Sequence, residues 1–185
     1  MSIPNLITLG RVILVPIVFW LMLSGEMQAA FALFVLAGVS DAVDGFLAKR
    51  FGWATELGAY LDPLADKLLI VCVFVALGAS GKLPSWLVIA VVTRDILIVT
   101  AVVLSWLLNH PVRIKPLIVS KANTLAQILL AGLVLADEGF GLGLGTVRTV
   151  LVWVTAALTL ASLAAYLSAW LRHMSGYETT EPPAI

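Results

Sequence analysis

Charge is scarce in this chain, and so is cysteine. Asp, Glu, Lys and Arg make up only 12% of the 185 residues, and the formal net charge is zero. A soluble domain carries roughly twice that share of charge, so the composition leaves no room for a sizeable soluble domain. Without a basic surplus the chain lacks the electrostatic footprint of a nucleic-acid binder, and no nucleic-acid partner is expected. Cys72 is the single cysteine. It cannot form an internal disulfide, and its apolar surroundings in sequence read as those of a small packed residue. The first residues carry no basic n-region, and Arg11 interrupts the first apolar run. That run is therefore expected to be retained as a helix rather than cleaved. No Arg- and Ser-rich transit segment precedes it, which points to a bacterial inner membrane rather than an organelle.

What the chain has in abundance is apolar sequence, at 61% of residues. Six apolar stretches, approximately 5–23, 28–49, 57–79, 85–108, 118–136 and 145–171, are each near the roughly 20 residues a spanning helix needs. The breaks between them carry turn chemistry: Ser24-Gly25-Glu26, Arg50-Phe51-Gly52, Gly78 to Pro84, Asn109-His110-Pro111 and the Gly-rich stretch from Asp137 to Gly145. The expected fold is an all-α integral membrane protein with six transmembrane helices. Residues 1–173 form one membrane domain with no internal repeat, and 174–185 form a polar, disordered tail with two prolines.

Basic residues set the orientation. With the N-terminus inside, Lys49, Arg50, Arg113, Lys115, Lys121 and Arg172 fall on the inner side, and only Lys82 and Arg148 on the outer. Both termini are therefore expected to be cytoplasmic. The six tryptophans lie mostly near segment ends and read as interfacial anchors.

Four aspartates stand out in this apolar background: Asp41 and Asp44 near the inner end of the second stretch, Asp62 and Asp66 near that of the third. An ionised Asp at the centre of a spanning helix costs roughly 2.5–3.5 kcal/mol, so four cost roughly 10–14 kcal/mol without partners. Asp41 and Asp44 are three residues apart and Asp62 and Asp66 four apart, so each pair shares a helix face. On antiparallel neighbouring helices the two pairs can face one another. Gly45 and Gly58 remove side chains beside them, and Pro63 is expected to kink or restart the third helix. The acids could pair with Lys49, Arg50 and Lys67 as buried ion pairs, serve a cation or proton pathway, or hold a metal. A pathway would distribute its acids along its length. These are bunched at one depth, which suits hard divalent ions such as magnesium or manganese.

The stretch resembles the signature of the CDP-alcohol phosphatidyltransferases: Asp-x-x-Asp-Gly-x-x-Ala-Arg, eight residues, then Gly-x-x-x-Asp-x-x-x-Asp. Asp41, Asp44, Gly45, Ala48, Gly58, Asp62 and Asp66 fill seven of its eight fixed positions over 26 residues. The departure is Lys49 in place of Arg, which keeps the charge and loses the bidentate fork. The segment from Ile3 to Thr8 followed by Arg11 resembles the family's N-terminus. Leu61 to Lys67, Thr93-Arg94-Asp95 and Ile114 to Thr124 resemble the cardiolipin synthase branch, whose neighbour is the phosphatidylglycerophosphate synthase branch.

The resemblance implies transfer of a phosphatidyl group from CDP-diacylglycerol to phosphatidylglycerol, giving cardiolipin and CMP, or to glycerol-3-phosphate in the neighbouring branch. It implies two magnesium or manganese ions held by Asp41, Asp44, Asp62 and Asp66, with Asp66 also the general base. Gly45, Ala48, Lys49 and Gly58 would contact the CDP moiety, joined by Asn5 and Thr8, and the family implies a homodimer. Two readings of other classes remain beside it: a cation transporter using the same acids, and a lipid-binding relative without turnover.

Other polar residues lie where apolar helices avoid them. Arg11 is deep in the first stretch, and one of the carboxylates is its expected partner. Arg94 and Asp95 are adjacent in the middle of the fourth stretch and are expected to point in different directions rather than at each other. Arg94, with Arg113, Lys115 and Lys121 at the inner surface, is a candidate for an anionic acceptor pocket. The plain alternative for the basic stretch is positive-inside charge and anionic-lipid contact. Lys121 opens the fifth stretch beside Ser120, Asn123 and Thr124, which makes it the favoured contact.

Overall fold

The computed structural model describes the backbone of residues 3–51, 56–107 and 118–178, and the side chains of 8–43, 65, 67–100 and 118–171. Among the described residues there are six helices and no strand: α1 (Ile3–Leu23), α2 (Met27–Phe51), α3 (Glu56–Ala79), α4 (Ser85–Leu107), α5 (Ile118–Phe140) and α6 (Gly145–Glu178). The six apolar stretches correspond to these six elements. The connection at 108–117, with Arg113 and Lys115, lies outside the described residues.

Left-handed glycines follow the ends of α1, α3 and α5 (Gly25, Gly81 and Gly141), and the first two cap their helices in the same way. At the end of α1, Gly25 adopts φ +81°. Its N–H bonds to Met22 O at 3.2 Å and the Glu26 N–H to Leu21 O at 2.9 Å. At the end of α3, Gly81 adopts φ +71°, with Gly81 N–H on Gly78 O at 3.0 Å and Lys82 N–H on Leu77 O at 2.8 Å. Both are Schellman caps, which satisfy terminal carbonyls and require a left-handed residue that glycine supplies without strain. α3 is one helix from Glu56 through Pro63 to Ala79, so Pro63 does not restart it. A proline this near the start removes one backbone donor, and the turns on either side carry the helix across. α6 continues to Glu178, beyond the 171 at which its apolar stretch ends. Arg172, His173 and Met174 extend it, and the tail prolines come later still.

The links 24–26, 80–84 and 141–144 meet at one end of the bundle, here termed the turn end. Gln28 Nε2 donates to Gly139 O at 2.8 Å, tying the first link's helix to the third's. Lys82 and Arg148 both donate to Glu138, tying the second link to the third. Leu144 N–H donates to Asp137 Oδ1 at 2.9 Å and closes the α5–α6 turn. Gly139 lies against the start of α2, where a Cβ would fall 3.1 Å from Gln28 N and 3.2 Å from Met27 C. That close approach is the small-residue packing by which helices associate in lipid.

Among the described residues the interior is one cluster that includes Val18, Phe34, Val73, Phe74, Leu87, Leu130 and Leu135. The exterior is apolar as well: Ile13 is 56% exposed, Trp20 65%, Ile89 64% and Leu160 62%. Large apolar residues on both faces of the helices suit a bundle solvated by lipid. α5, and α6 over Gly145–Leu171, are long and apolar enough to cross a membrane.

Candidate active site

Asp41 lies fourteen residues beyond Met27 on α2, about 21 Å from the turn end at 1.5 Å per residue. Its carboxylate is 41% exposed. Arg11 of α1 meets it, Nη1 to Oδ1 at 2.8 Å, with the arginine side chain fully buried. Arg11 thus has the carboxylate partner expected of it. A buried guanidinium is costly unless an anion lies beside it, and Asp41 supplies that anion.

Asp41 also lines a cavity of about 880 Å³ between α2, α3 and α5. Among the described residues its wall is apolar apart from Asp41 and Thr124, and includes Phe34, Leu69, Ile128 and Leu133. The carboxylate therefore opens onto a space suited to hydrocarbon rather than to a small hydrophilic molecule.

A second polar network occupies the same half of the bundle and draws on four helices. Arg94 of α4 is 1% exposed. Its Nη1 donates to Asp95 Oδ1 at 2.5 Å, and its Nη2 to Ser120 Oγ of α5 and Ser162 Oγ of α6, each at 2.6 Å. Tyr166 of α6 lies under the guanidinium, 5.6 Å from its ring centre. Asp95 Oδ1 also takes Lys67 Nζ of α3 at 2.7 Å. The expectation that adjacent Arg94 and Asp95 diverge is thus corrected. The three-carbon stem of arginine is long enough to curl back, and burial favours pairing over separation. One carboxylate here faces two cations, which leaves the Arg94–Asp95–Lys67 group with a surplus positive charge.

The polar seam continues between α5 and α6. Thr159 Oγ1 donates to Asn123 Oδ1 at 2.9 Å, and both residues are buried. On antiparallel helices this places Gln127 and Thr155 one turn further along, and both are also buried. The sequence reading passed over Lys67–Asp95, Ser162, Thr159 and Tyr166. A signal was present for α6: Thr155, Thr159 and Ser162 recur at i, i+4 and i+7 in an otherwise apolar helix, which marks one polar face.

The remaining candidates divide in two. Thr8 is buried on α1 at 1% exposure, and Lys121 is exposed on α5 one residue after Ser120. Asp44, Gly45, Ala48 and Lys49 lie on α2, Gly58, Asp62 and Asp66 on α3, and Asn5 on α1. Their backbones are helical, so the 41/44 and 62/66 pairs each share a face as expected. Their side-chain surroundings lie outside the described residues. Among the described residues no three His, Cys, Asp or Glu side chains come together. The donor set nonetheless fits a hard divalent ion, being wholly carboxylate, with its described member half-exposed in a cavity wall.

Residues 1–161 match the CDP-alcohol phosphatidyltransferase family. The chain is 37% identical over 184 residues to the chloroplastic CDP-diacylglycerol–glycerol-3-phosphate 3-phosphatidyltransferase 1 of Oryza sativa subsp. japonica, covering 90% of this chain and 56% of that protein. It is 32% identical over 183 residues to the cardiolipin synthase (CMP-forming) of Homo sapiens, covering 89% and 60% respectively. It is 39% identical over 102 residues to a probable phosphatidylglycerophosphate synthase of Mycobacterium tuberculosis, covering 51% and 48%. The chain thus spans roughly half to three-fifths of the length of these relatives.

Proposed function

This chain belongs to the CDP-alcohol phosphatidyltransferase family, and from that premise we propose that it transfers a phosphatidyl group from CDP-diacylglycerol to phosphatidylglycerol, giving cardiolipin and CMP. The observation that carries the reading is Asp41, half-exposed, lining a largely apolar cavity of about 880 Å³. A donor with a charged diphosphate and two hydrocarbon chains has the same two-part character. The Arg94–Asp95–Lys67 group, with its surplus positive charge, lies in the same half of the bundle and suits an acceptor that bears a phosphate.

The acceptor hydroxyl oxygen attacks the phosphorus that carries the diacylglycerol. The bond from that phosphorus to the oxygen bridging to CMP breaks, and CMP leaves with the bridging oxygen. Asp66 takes the hydroxyl proton as general base. Gly45, Ala48, Lys49, Gly58, Asn5 and Thr8 hold the CDP moiety, and Arg94, Arg113, Lys115 and Lys121 face the acceptor. Two magnesium or manganese ions, held by Asp41, Asp44, Asp62 and Asp66, would neutralise the diphosphate and ease departure of CMP when bound. The family reading also includes six spanning helices, both termini and the carboxylates at the cytoplasmic face of the inner membrane, and a homodimer.

A second acceptor has its own support. The rice relative, 37% identical over 90% of this chain, is named for glycerol-3-phosphate, so the same chemistry with that acceptor is the alternative. Purified, reconstituted protein given CDP-diacylglycerol, a divalent metal and either acceptor decides between them. CMP release with phosphatidylglycerol, accompanied by cardiolipin, is expected. Release with glycerol-3-phosphate alone replaces the acceptor and keeps the mechanism. Cation flux without CMP release removes the transferase reading.

A further inference from the structure

The turn end, opposite the carboxylates, carries a second pocket with a different chemistry. It is an open pocket of about 400 Å³, and its lining includes Lys82 from the α3–α4 link, Arg148 of α6, and the rings of Trp86 and Trp153. Among the described residues no acidic one lines it. The tryptophan rings lie 5.5 Å apart at an interplanar angle of 36°. They remain 45% and 64% exposed.

The charges around this pocket are unevenly shared. Lys82 donates to Glu138 Oε2 and Arg148 to Glu138 Oε1, so one carboxylate serves two cations from opposite sides. Asp137, the neighbouring acid, is turned to the α5–α6 link, where it accepts the Leu144 N–H. Arg148 meets Glu138 through Nη1 alone, at 3.1 Å, and a guanidinium has five N–H donors. The side chains of Lys82 and Arg148 are 36% and 24% exposed. The pocket therefore presents donors and positive charge beside two amphipathic rings, at the level where a spanning bundle meets its headgroup layer.

We propose that this pocket binds the phosphate of an anionic phospholipid in the leaflet opposite the carboxylates. Arg148 and Lys82 take the phosphate, and Trp86 and Trp153 pack against the glycerol and upper acyl chain. The aromatic pair and the flanking Leu83 and Val152 favour a lipid over free phosphate, which has no apolar part to bury. The inference rests on the spanning reading of the helices and is independent of which acceptor the catalytic end uses.

The test is lipid retention by the full-length purified chain in detergent, read by native mass spectrometry with added phosphatidic acid or phosphatidylcholine. The intact chain retains a phosphatidic acid that a hundredfold excess of inorganic phosphate does not displace. Lys82→Gln with Arg148→Gln weakens that retention at least tenfold, while CMP release in liposomes stays within twofold. Glu138→Gln separates binding from mere structure, because it breaks both ion pairs yet leaves both cations free. It retains the lipid at least as well as the intact chain. Equal retention by all variants overturns the proposal, as does loss by Glu138→Gln in parallel with the double variant, or displacement by inorganic phosphate. CMP release is scored separately, so failure of the transferase reading leaves the retention pattern to decide this site.

Discussion

Arg11 and Asp41 form an ion pair 2.8 Å long in which the arginine is wholly buried and the aspartate is 41% exposed. The asymmetry defines their roles. Arg11 has no water to turn to, so Asp41 stays beside it, whereas Asp41 keeps a free side toward the cavity. The arginine thus fixes the direction of one signature carboxylate and offsets its charge.

Arg11→Gln should therefore loosen the bundle and make it lean on divalent metal. Breaking a buried pair costs about 3–5 kcal/mol, and the half-exposed partner reduces this to about 2 kcal/mol. The expected result is a lower unfolding midpoint in EDTA, with manganese restoring a larger share of it in the variant than in the intact chain. An unchanged midpoint in EDTA would leave Arg11 without this role.

Gly139→Ala should destabilise the turn end. Its Cβ would fall 3.1–3.2 Å from the backbone of Met27 and Gln28, and backbone at a helix start cannot step aside as a side chain can. The expected loss is about 1–3 kcal/mol. Gly10→Ala is the control, since among the described residues nothing beyond its own helical turn lies within 4 Å of its Cβ position. Thermal unfolding of the two variants side by side checks the difference, and similar midpoints would contradict it.

Much of the architecture is legible in the residues because each helix end carries its own chemistry. Gly25 and Gly81 mark the ends of α1 and α3, and both prove to be left-handed caps. The apolar stretches locate all six helices because an exterior that must also be apolar leaves long uninterrupted runs. What could not be read is which polar residues meet. Arg94 and Asp95 look divergent from sequence adjacency, and Lys67 looks like a partner for the four signature acids. Instead Asp95 holds both Arg94 and Lys67. Such pairings depend on helix rotation and on the reach of long side chains, and neither is encoded in local spacing. The close approach at Gly139 is tertiary in the same way, set by a helix start more than a hundred residues earlier.

Topology can be read with a single engineered thiol. Ser80 is exposed at the turn end, whereas the native Cys72 is only partly exposed within an apolar helix. In intact cells, a membrane-impermeant maleimide should label Ser80→Cys from outside, and the unaltered chain should stay unlabelled. Labelling only after lysis would place the turn end in the cytoplasm and reverse the proposed orientation.

Asp66→Asn should abolish CMP release while CDP-diacylglycerol binding remains measurable. The amide is close to the carboxylate in size and cannot take the acceptor proton. Turnover within a few-fold of the intact enzyme would remove Asp66 from the base role.

Lys121 and Arg94 are the two acceptor candidates with described side chains, and their surroundings give them different expected behaviour. Arg94 is 1% exposed and makes three short hydrogen bonds to Asp95, Ser120 and Ser162. Arg94→Lys keeps the charge and loses the fork that spans α5 and α6, so both the unfolding midpoint and turnover should fall. Lys121 is exposed on α5 and directly follows Ser120, the residue that Arg94 holds. Lys121→Ala should leave the unfolding midpoint nearly unchanged. It should raise the apparent KM for the acceptor by about tenfold, the equivalent of about 1.4 kcal/mol, with little change in KM for CDP-diacylglycerol. Steady-state kinetics with each substrate varied in turn separates the two effects. Equal rises for donor and acceptor would place Lys121 outside the acceptor pocket and leave it the ordinary inner-surface charge that its position also suits.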